Sequence, residues 1–329
     1  MKIAVDAMGG DHAPAVVVEG AIAAAHELPY EIVLVGAQDS LEEHLSRHKG
    51  VPKTISVYHA PESIGMNESP ALSIRKKRNA SINVAVRLAQ EKKVEAVVSA
   101  GNTGAFVCAA TLYLRLLPGI ERAGIGVLFP TLKGMTLLID AGANIDAKPS
   151  HLCQYGIMGD AFYRYILGCE NPKVGLLNVG EEDAKGTDFI KETYKLLEDA
   201  AVKFVGNVEG HDLFRGECEV IVCDGFAGNV ALKVSESLAE TMGLFLKTEL
   251  SKGLLNRLGA LLSFSAFRAL REKMDYAEYG GAPLLGIDGT CIICHGSSSG
   301  KAIKNAIRLA GYFINRGVNT HILEALHRH

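Results

Sequence analysis

Short apolar runs alternate along the chain with longer segments in which apolar residues recur every three or four positions. The runs are rich in β-branched residues and are typical of strands: KIAVDA, EIVLVG, TISVYH, EAVVSA, AGIGVLF, MTLLIDAG, KVGLLNVG, VKFVGNV and EVIVCDG. Most of them are apolar on both faces, as expected of strands that helices cover on both sides. The intervening segments predict helices at about 14–28, 79–92, 103–116, 150–167, 187–200 and 229–250.

This alternation predicts an α/β fold in three layers, αβα, built on a mostly parallel, doubly wound sheet. The chain has 329 residues, 48% of them hydrophobic, which is enough to bury a large core. It contains no Pro/Ser-rich linker and no low-complexity tract. We therefore expect one α/β catalytic domain over 1–329, with a helical, hairpin-like excursion at about 236–275.

Charge and cysteine content narrow the classes of function. The net charge of −3 gives no overall attraction to nucleic acid, and no nucleic-acid partner is expected. The seven cysteines are scattered and odd in number, which is typical of reduced thiols in a cytoplasmic protein. We see no signal-peptide pattern at the start of the chain, and no apolar run reaches the roughly 18–20 residues of a membrane span. The expected location is the cytoplasm.

Several predicted strands end in Gly, Asn or Asp directly before a helix. The loops are DAMGGDHAP, SAGNTGA, DAGANIDAKP, NVGEEDAKG and DGFAGN. In open α/β sheets, ligands bind at the carboxyl ends of the strands. We therefore expect these five loops to converge on one cleft.

Two of the loops carry the pattern of an anion site. The N–H groups and dipole of a helix N-terminus attract phosphate-sized anions. This predicts that phosphate would lie against the SAGNTGA and DGFAGN loops, at Asn102, Thr103, Gly104 and Gly228. A tight turn with a capping Asn or Thr is the alternative. Lys185 in NVGEEDAKG could neutralise phosphate or an oxyanion, or it could simply be solvated.

Other motifs exclude common chemistries. CHGSSSGKA is one residue short of a P-loop, and Ala302 stands where Ser or Thr would bind Mg²⁺. CIICH fits haem-attachment spacing, but in a reduced chain it is more typical of a buried strand ending at His295. No GxGxxG follows a strand, and no nucleophile elbow is assigned, although GSSSG at 296–300 fits the GxSxG spacing. We expect no cofactor and no metal, and any acyl chemistry would take its nucleophile from the substrate.

Two surface features stand apart. The basic run comprises Arg75, Lys76, Lys77 and Arg78; it could be a solvated turn or a docking patch for an acidic partner. The basic amphipathic segment 251–273 carries apolar residues at Leu254, Leu258, Leu261 and Leu262. Packing against the protein's own core is its simplest interpretation; contact with a membrane or a dimer partner is the alternative.

Seven motifs in the same order resemble the bacterial phosphate acyltransferase (PlsX) family of phospholipid synthesis. They are MKIAVDAMGGDHAP, VVSAGNTGAF, DAGANIDAKP, GLLNVGEE, DGFAGNVALK, YGGAPLLG and HGSS, between Met1 and about Arg316. The resemblance implies transfer of a fatty acyl group from acyl carrier protein to inorganic phosphate. A downstream membrane acyltransferase would use the acyl phosphate. It also implies a homodimer with peripheral membrane contact, and a fold similar to phosphotransacetylase and the isocitrate and isopropylmalate dehydrogenases.

The resemblance gives the candidate residues provisional roles. The candidate catalytic residues are Lys185, Asn229, His12 and His295, with Asn229 also near the phosphate. The residues expected to shape the pocket are Asp6, Asp11, Asn144 and Asp224; we do not expect these acids to touch the anion, because like charges repel. The basic run would dock the acidic carrier protein. The four leucines would contact a membrane or a dimer partner.

Two other classes of function remain open at this point. A decarboxylating dehydrogenase of similar fold would need a nicotinamide site and usually a metal held by Asp residues. A non-catalytic regulatory module would bind the acyl carrier protein without turnover. Nicotinamide absorbance would reveal the first, and phosphate-dependent loss of a carrier thioester would exclude the second.

Overall fold

The computed structural model describes residues 1–274 and 280–327 of the chain. Its strands, in chain order, are β1 (Lys2–Asp6), β2 (Glu31–Gly36), β3 (Ile55–His59), β4 (Ala96–Ser99), β5 (Gly124–Ile125), β6 (Val127–Pro130), β7 (Met135–Ile139), β8 (Lys173–Leu177), β9 (Lys203–Val208), β10 (Val220–Val222), β11 (Ala282–Leu285) and β12 (Thr290–Ile293). All the segments predicted as strands contain one, and CIICH forms β12, which is buried throughout.

Helices connect the strands. They are α1 (Ala15–Glu27), α2 (Gln38–Ser46), α3 (Pro70–Lys76), α4 (Ser81–Gln90), α5 (Thr103–Tyr113), α6 (Pro149–Phe162), α7 (Asp188–Asp199), α8 (Asp212–Arg215), α9 (Gly225–Leu250), α10 (Gly253–Leu262), α11 (Phe264–Met274), α12 (Gly300–Asn315) and α13 (Val318–Leu326). A short π-helix, Tyr163–Leu167, extends α6. The predicted helices are confirmed, although α9 begins at Gly225 rather than at 229.

The strands form two sheets, in the orders β3-β2-β1-β4-β12-β11-β5 and β6-β7-β10-β8-β9. Pairing is parallel within β3-β2-β1-β4-β12 and within β7-β10-β8-β9, and antiparallel where β11, β5 and β6 join. The predicted α/β fold with mostly parallel strands is confirmed, but its strands divide between two sheets. Gly126 alone separates β5 from β6, so one extended segment borders both.

The two sheets share buried side chains. One core cluster contains Ile3 and Val98 from the first sheet together with Leu137 and Val220 from the second. Tyr155 of α6 lies in the same cluster and is fully buried. This shared core is what we expect of one catalytic domain over 1–329, which stays a prediction.

The excursion predicted at about 236–275 is formed by the outer part of α9 with α10 and α11, and its last position, 275, lies outside the described residues. Its leucines are exposed: Leu254 by 84%, Leu258 by 55%, Leu261 by 71% and Leu262 by 78%. Packing against the protein's own core is therefore the wrong interpretation of this segment. None of the helices within 1–274 and 280–327 is long and apolar enough to cross a bilayer.

We predict that close packing of α1 on α12 makes Gly20→Ala destabilising. A Cβ at Gly20 would lie 2.6 Å from the Gly300 carbonyl oxygen and 2.6 Å from Ile303 Cβ. Overpacking of this kind lowers the free energy of unfolding by about 1–3 kcal/mol, which denaturant titration would measure. Gly243→Ala is the control, because nothing lies within 4 Å of that position in α9; it should raise stability by up to about 1 kcal/mol. An unchanged midpoint for Gly20→Ala would contradict the packing.

Candidate active site between the two sheets

Three strands of the first sheet end level with one another. The register pairs Asp6 with Ser99, and Ser99 with Ile293. The Asp6 side chain is buried and accepts a hydrogen bond of 2.7 Å from Ser99 Oγ. Burial raises the pKa of Asp6, and hydrogen bonds from Ser81, Ser99 and the following backbone oppose that rise. Asp6 thus ties the ends of neighbouring strands together.

Glycines let the loop after β1 cross this buried carboxylate. A Cβ on Gly9 would lie 2.6 Å from Asp6 Oδ2 and 2.7 Å from the backbone nitrogen of Gly101. Beyond it, the Asp11 N–H donates to the Gly296 carbonyl at 2.8 Å, which joins the loops after β1 and β12. The side chains of Asp11 and His12 are exposed there.

The Asn102 side chain is fully engaged within the protein. Its Oδ1 accepts from the Ala105 N–H at 3.0 Å and caps α5. Its Nδ2 donates to three carbonyls of the preceding segment, those of Gly65, Met66 and Glu68, at 3.0–3.3 Å. The prediction that this residue binds phosphate is therefore corrected for its side chain, which positions a loop and a helix instead.

The first turn of α5 still offers backbone donors. The first N–H groups of a helix have no acceptor within it. Asn102 satisfies the Ala105 and Phe106 N–H groups, which leaves those of Thr103 and Gly104 without an acceptor among residues 1–274 and 280–327. Gly104 also allows α3 to approach, since a Cβ there would lie 2.7 Å from Pro70 Cγ.

The second sheet has a matching buried carboxylate, Asp140, directly after β7. Its oxygens accept four backbone N–H groups at 2.7–3.0 Å, from Ile125, Gly142, Ala143 and Asn144. Burial raises the pKa of Asp140, and these bonds act in the opposite direction. Sequence reasoning missed its role, although the DAGAN motif was the available signal.

Asn144 joins three further elements to this loop. Its Nδ2 donates to the Ala123 carbonyl at 2.6 Å and to Tyr155 Oη at 2.8 Å. Its carbonyl accepts the Gly225 N–H at 2.9 Å, at the start of α9. Asn144 therefore fixes the loop after β7 against its neighbours, and its role in shaping a pocket stays a prediction.

The N-terminus of α9 is closed to a ligand. Asp224 caps it and accepts the N–H groups of Phe226 and Ala227 at 2.8 and 2.9 Å. The Gly228 N–H donates to the Asp224 carbonyl, and a Cβ on Gly228 would lie 1.9 Å from the Asp140 carbonyl oxygen. Gly228 therefore offers no free donor to phosphate, and its prediction as a phosphate ligand is corrected: it allows α9 to approach β7.

Asn229 is the first exposed polar side chain on α9 after this capped turn. It packs against Gly142, where an added Cβ would lie 3.4 Å from Asn229 Cβ. Its amide makes no hydrogen bond to the residues that the structure describes. One turn later, Leu232 packs against the core cluster that contains Phe106 of α5. Leu232 thus attaches α9 to the apolar cluster to which α5 also contributes.

Lys185 lies within its own loop after β8. Its ammonium contacts Glu182 at 2.8 Å, its side chain is half exposed, and it folds over Gly180. The Glu182 carboxylate raises the pKa of Lys185. No described contact joins Lys185 to α5 or to Asn229.

A different lysine, Lys233 of α9, crosses between the sheets. Its Nζ lies 2.8 Å from Glu236 Oε2 and 3.3 Å from Nε2 of His295, which follows β12. Sequence reasoning selected His295 but not Lys233, which stands in the middle of a helical pattern. Only its position four residues after Asn229 could have drawn attention to it.

One group within the described ranges could supply metal ligands. Donor atoms of Glu181, His211 and Asp212 lie within 4.8 Å of one another. Asp212 is also contacted by Arg215 at 3.6 Å and by the Glu209 N–H at 2.9 Å. These contacts already balance its charge, so the group supports no metal assignment.

One lysine of the basic run is engaged within the protein. Lys77 contacts Glu68 at 2.6 Å and donates to the Ser63 carbonyl at 2.9 Å. Together with the Gly65 N–H and Ser73, this lysine lowers the pKa of Glu68 to about 2. Lys77 thus anchors this segment and is less exposed than Arg75, Lys76 and Arg78, and docking by the basic run stays a prediction.

Comparisons with known proteins agree with this architecture. The chain is similar to phosphotransacetylases from Streptococcus pyogenes (TM-score 0.64, 15% identity, 99% of this chain and 94% of that one) and Staphylococcus aureus (0.60, 16%, 95% and 94%). A 4-hydroxythreonine-4-phosphate dehydrogenase from Klebsiella pneumoniae also matches (0.53, 15%, 94% and 98%). At such low identity these structures show the fold alone, and they confirm the expected likeness to phosphotransacetylase.

Sequence comparisons identify the family. A family model described as "Fatty acid synthesis protein" matches residues 1–321. Proteins named "Phosphate acyltransferase" are similar over 326 residues: 50% identical in Geotalea uraniireducens and 48% in Geobacter sulfurreducens, covering 99% of this chain and 94% of each relative. The chain therefore belongs to the phosphate acyltransferase family of fatty acid synthesis proteins.

Proposed function

We propose that this protein transfers a fatty acyl group from acyl carrier protein to inorganic phosphate and releases an acyl phosphate. The observation that carries this proposal is the identity of about half of all positions, over nearly the whole chain, with relatives named for acyl transfer to phosphate. The N-terminus of α5 supports it, because the Thr103 and Gly104 N–H groups have no acceptor among the described residues.

The chemistry needs no nucleophile from the protein. A phosphate oxygen attacks the thioester carbonyl carbon and forms the new C–O bond. The resulting tetrahedral oxyanion collapses, the C–S bond breaks, and the electron pair leaves on sulfur. The thiolate then takes a proton from water. Thiols have a pKa near 8.5, so the leaving group demands no strong acid. The site has to hold phosphate beside the thioester and stabilise the oxyanion.

Each remaining candidate fits one of these tasks. The N–H groups of Thr103 and Gly104 would bind phosphate at the N-terminus of α5. The Asn229 amide would donate to phosphate from the opposite side of the cleft. Lys185 would leave Glu182 to stabilise the oxyanion, and the exposed His12 would orient the substrate. Asp6, Asp11, Asn144 and Asp224 shape the cleft without touching the anion.

The experiment that tests the proposed function follows the thioester itself. Acyl carrier thioester is incubated with the protein, with and without phosphate, and both thioester and acyl phosphate are quantified. Phosphate-dependent loss of thioester with matching gain of acyl phosphate supports the proposal. Thioester that persists at every phosphate concentration contradicts it and favours a binding module without turnover.

We predict that Lys185→Ala lowers kcat by about 10²-fold, the usual effect of removing one oxyanion donor, with little change in the KM for phosphate. Steady-state acyl phosphate formation would measure both constants. Lys93→Ala is the matched control: Lys93 also pairs with a nearby glutamate, Glu91 at 2.7 Å, but it precedes β4 at the opposite end of the sheet. Near-normal turnover in Lys185→Ala would remove this lysine from the mechanism.

The exposed cations of the basic run would dock the acidic carrier protein. We predict that the double variant Arg75→Glu/Arg78→Glu raises the KM for acyl carrier several-fold and weakens its dependence on salt, because opposite charges accelerate encounter. Kinetics across a range of ionic strength would measure both effects. The double variant Lys92→Glu/Lys93→Glu, which changes the net charge by the same amount outside the basic run, serves as the charge-matched control. An unchanged KM with unchanged salt dependence would return these residues to an ordinary solvated surface.

The exposed leucines of α10 would contact a membrane surface peripherally or a second copy in a homodimer. We predict that Leu254→Glu/Leu258→Glu abolishes liposome flotation, because charges oppose burial of the apolar face among lipids. Leu132→Glu is the control, since Leu132 is 88% exposed in the turn between β6 and β7. Light scattering on the same variants measures the oligomer. If the double variant still floats with liposomes but is a monomer, the leucines form the dimer contact. If it still floats and is still a dimer, the leucines take part in neither contact.

A further inference from the structure

Lys233 and His295 come from different sheets and meet across the cleft. Lys233 lies on α9, which follows β10 of the second sheet, and His295 follows β12 of the first. Their Nζ and Nε2 atoms are 3.3 Å apart although 62 positions separate them in the chain. Lys233 also lies one helical turn after Asn229, on the same face of α9. The pair thus continues the polar face that begins with Asn229.

The surroundings of His295 define how it holds the lysine. An ammonium group only donates hydrogen bonds, so Lys233 would donate to Nε2. On the other side of the ring, Nδ1 lies 2.8 Å from Ser297 Oγ and 3.3 Å from the Ser297 backbone nitrogen, so the loop after β12 holds the ring there. His295 and Glu236 together direct the ammonium from two sides.

The strand register brings His295, the partner of this ammonium, to the same edge of the sheet as the turn that leads into α5. Ile293 pairs with Ser99, and the Cys294 N–H donates to the Ser99 carbonyl at 2.8 Å. His295 therefore lies next to the turn that leads into Thr103 and Gly104. An anion on those N–H groups would have a lysine of α9 facing it, carried by a residue of the neighbouring strand.

We propose that Lys233 is the cation that binds the attacking phosphate and that His295 is its positioning residue; this inference rests on the proposed function. A phosphate dianion attracts the ammonium more strongly than the single charge of Glu236 does. Lys233 therefore exchanges the carboxylate for phosphate while His295 keeps it at the cleft. Lys185 acts on the developing oxyanion and Lys233 on the bound nucleophile.

Lys233→Gln tests the binding role. We expect the KM for phosphate to rise by about tenfold to hundredfold, as for loss of a charge-assisted hydrogen bond, while the KM for acyl carrier changes little. Inorganic phosphate should also raise the thermal midpoint of the wild type but not that of Lys233→Gln. Lys93→Gln is the control, with a similar lysine–glutamate pair and similar exposure (58% against 53%). Its phosphate KM should equal that of the wild type.

His295→Leu tests the positioning role. Removal of the acceptor should raise the phosphate KM by about three- to tenfold. Adding His295→Leu to Lys233→Gln should have little further effect, because the histidine acts through the lysine. An additive effect in the double variant would overturn the positioning role. A wild-type phosphate KM and a normal thermal shift in Lys233→Gln would overturn the inference as a whole.

Failure of the inference and failure of the proposed function give different results. If the wild type shows no phosphate-dependent loss of thioester, the proposed function fails. If the wild type turns over and Lys233→Gln keeps its phosphate KM, only the inference fails. Unfolding curves of each variant identify any that do not fold, and Lys233→Arg, which keeps the charge, should then retain most of the phosphate-dependent thermal shift.

Discussion

Two buried carboxylates hold the cleft in shape. Asp6 is the last residue of β1 and Asp140 directly follows β7, and each is surrounded by backbone or hydroxyl donors rather than by a cation. A buried charge without such donors would be costly, so the loops are obliged to wrap around the oxygens. That requirement determines where the backbone runs on both sides of the cleft. This path of the backbone requires glycine at positions 9, 101, 225 and 228. A Cβ at any of these positions would lie too close to Asp6 or Asp140.

The two helix N-termini show how similar motifs can serve different purposes. Both α5 and α9 follow a strand, a glycine-containing turn and a capping residue. The cap of α9 is a charged aspartate whose carboxylate takes two N–H groups and repels any anion. The cap of α5 is a neutral asparagine that takes one N–H group with its side chain and leaves two for a ligand. The two caps therefore leave the N-terminus of α9 closed by the protein itself and two N–H groups of α5 open.

Local patterns in the sequence were sufficient for the strands and most helices. They could not show the division into two sheets, because Gly126 lies within an apolar run that looks like a single strand. They could not distinguish Lys77 from its basic neighbours, because its partner Glu68 lies nine positions earlier in the chain and only the folded segment brings the two together. Gly228 was misjudged because close approach to Asp140 and anion binding favour the same residue type. Lys233 was missed because its partner, His295, is brought near only by the fold.

Helix α9 has a consequence of its own. Its 26 residues run without interruption from the capped turn at Asp224 to the exposed α10, a length of roughly 39 Å at the usual rise per residue. A rod of this kind transmits tilt from one end to the other. A membrane or protein partner that binds the exposed apolar end of α9 and α10 would tilt the helix and move the turn that carries Asn229. Under the proposed function, substrate affinity would then depend on contact at the opposite end of the helix.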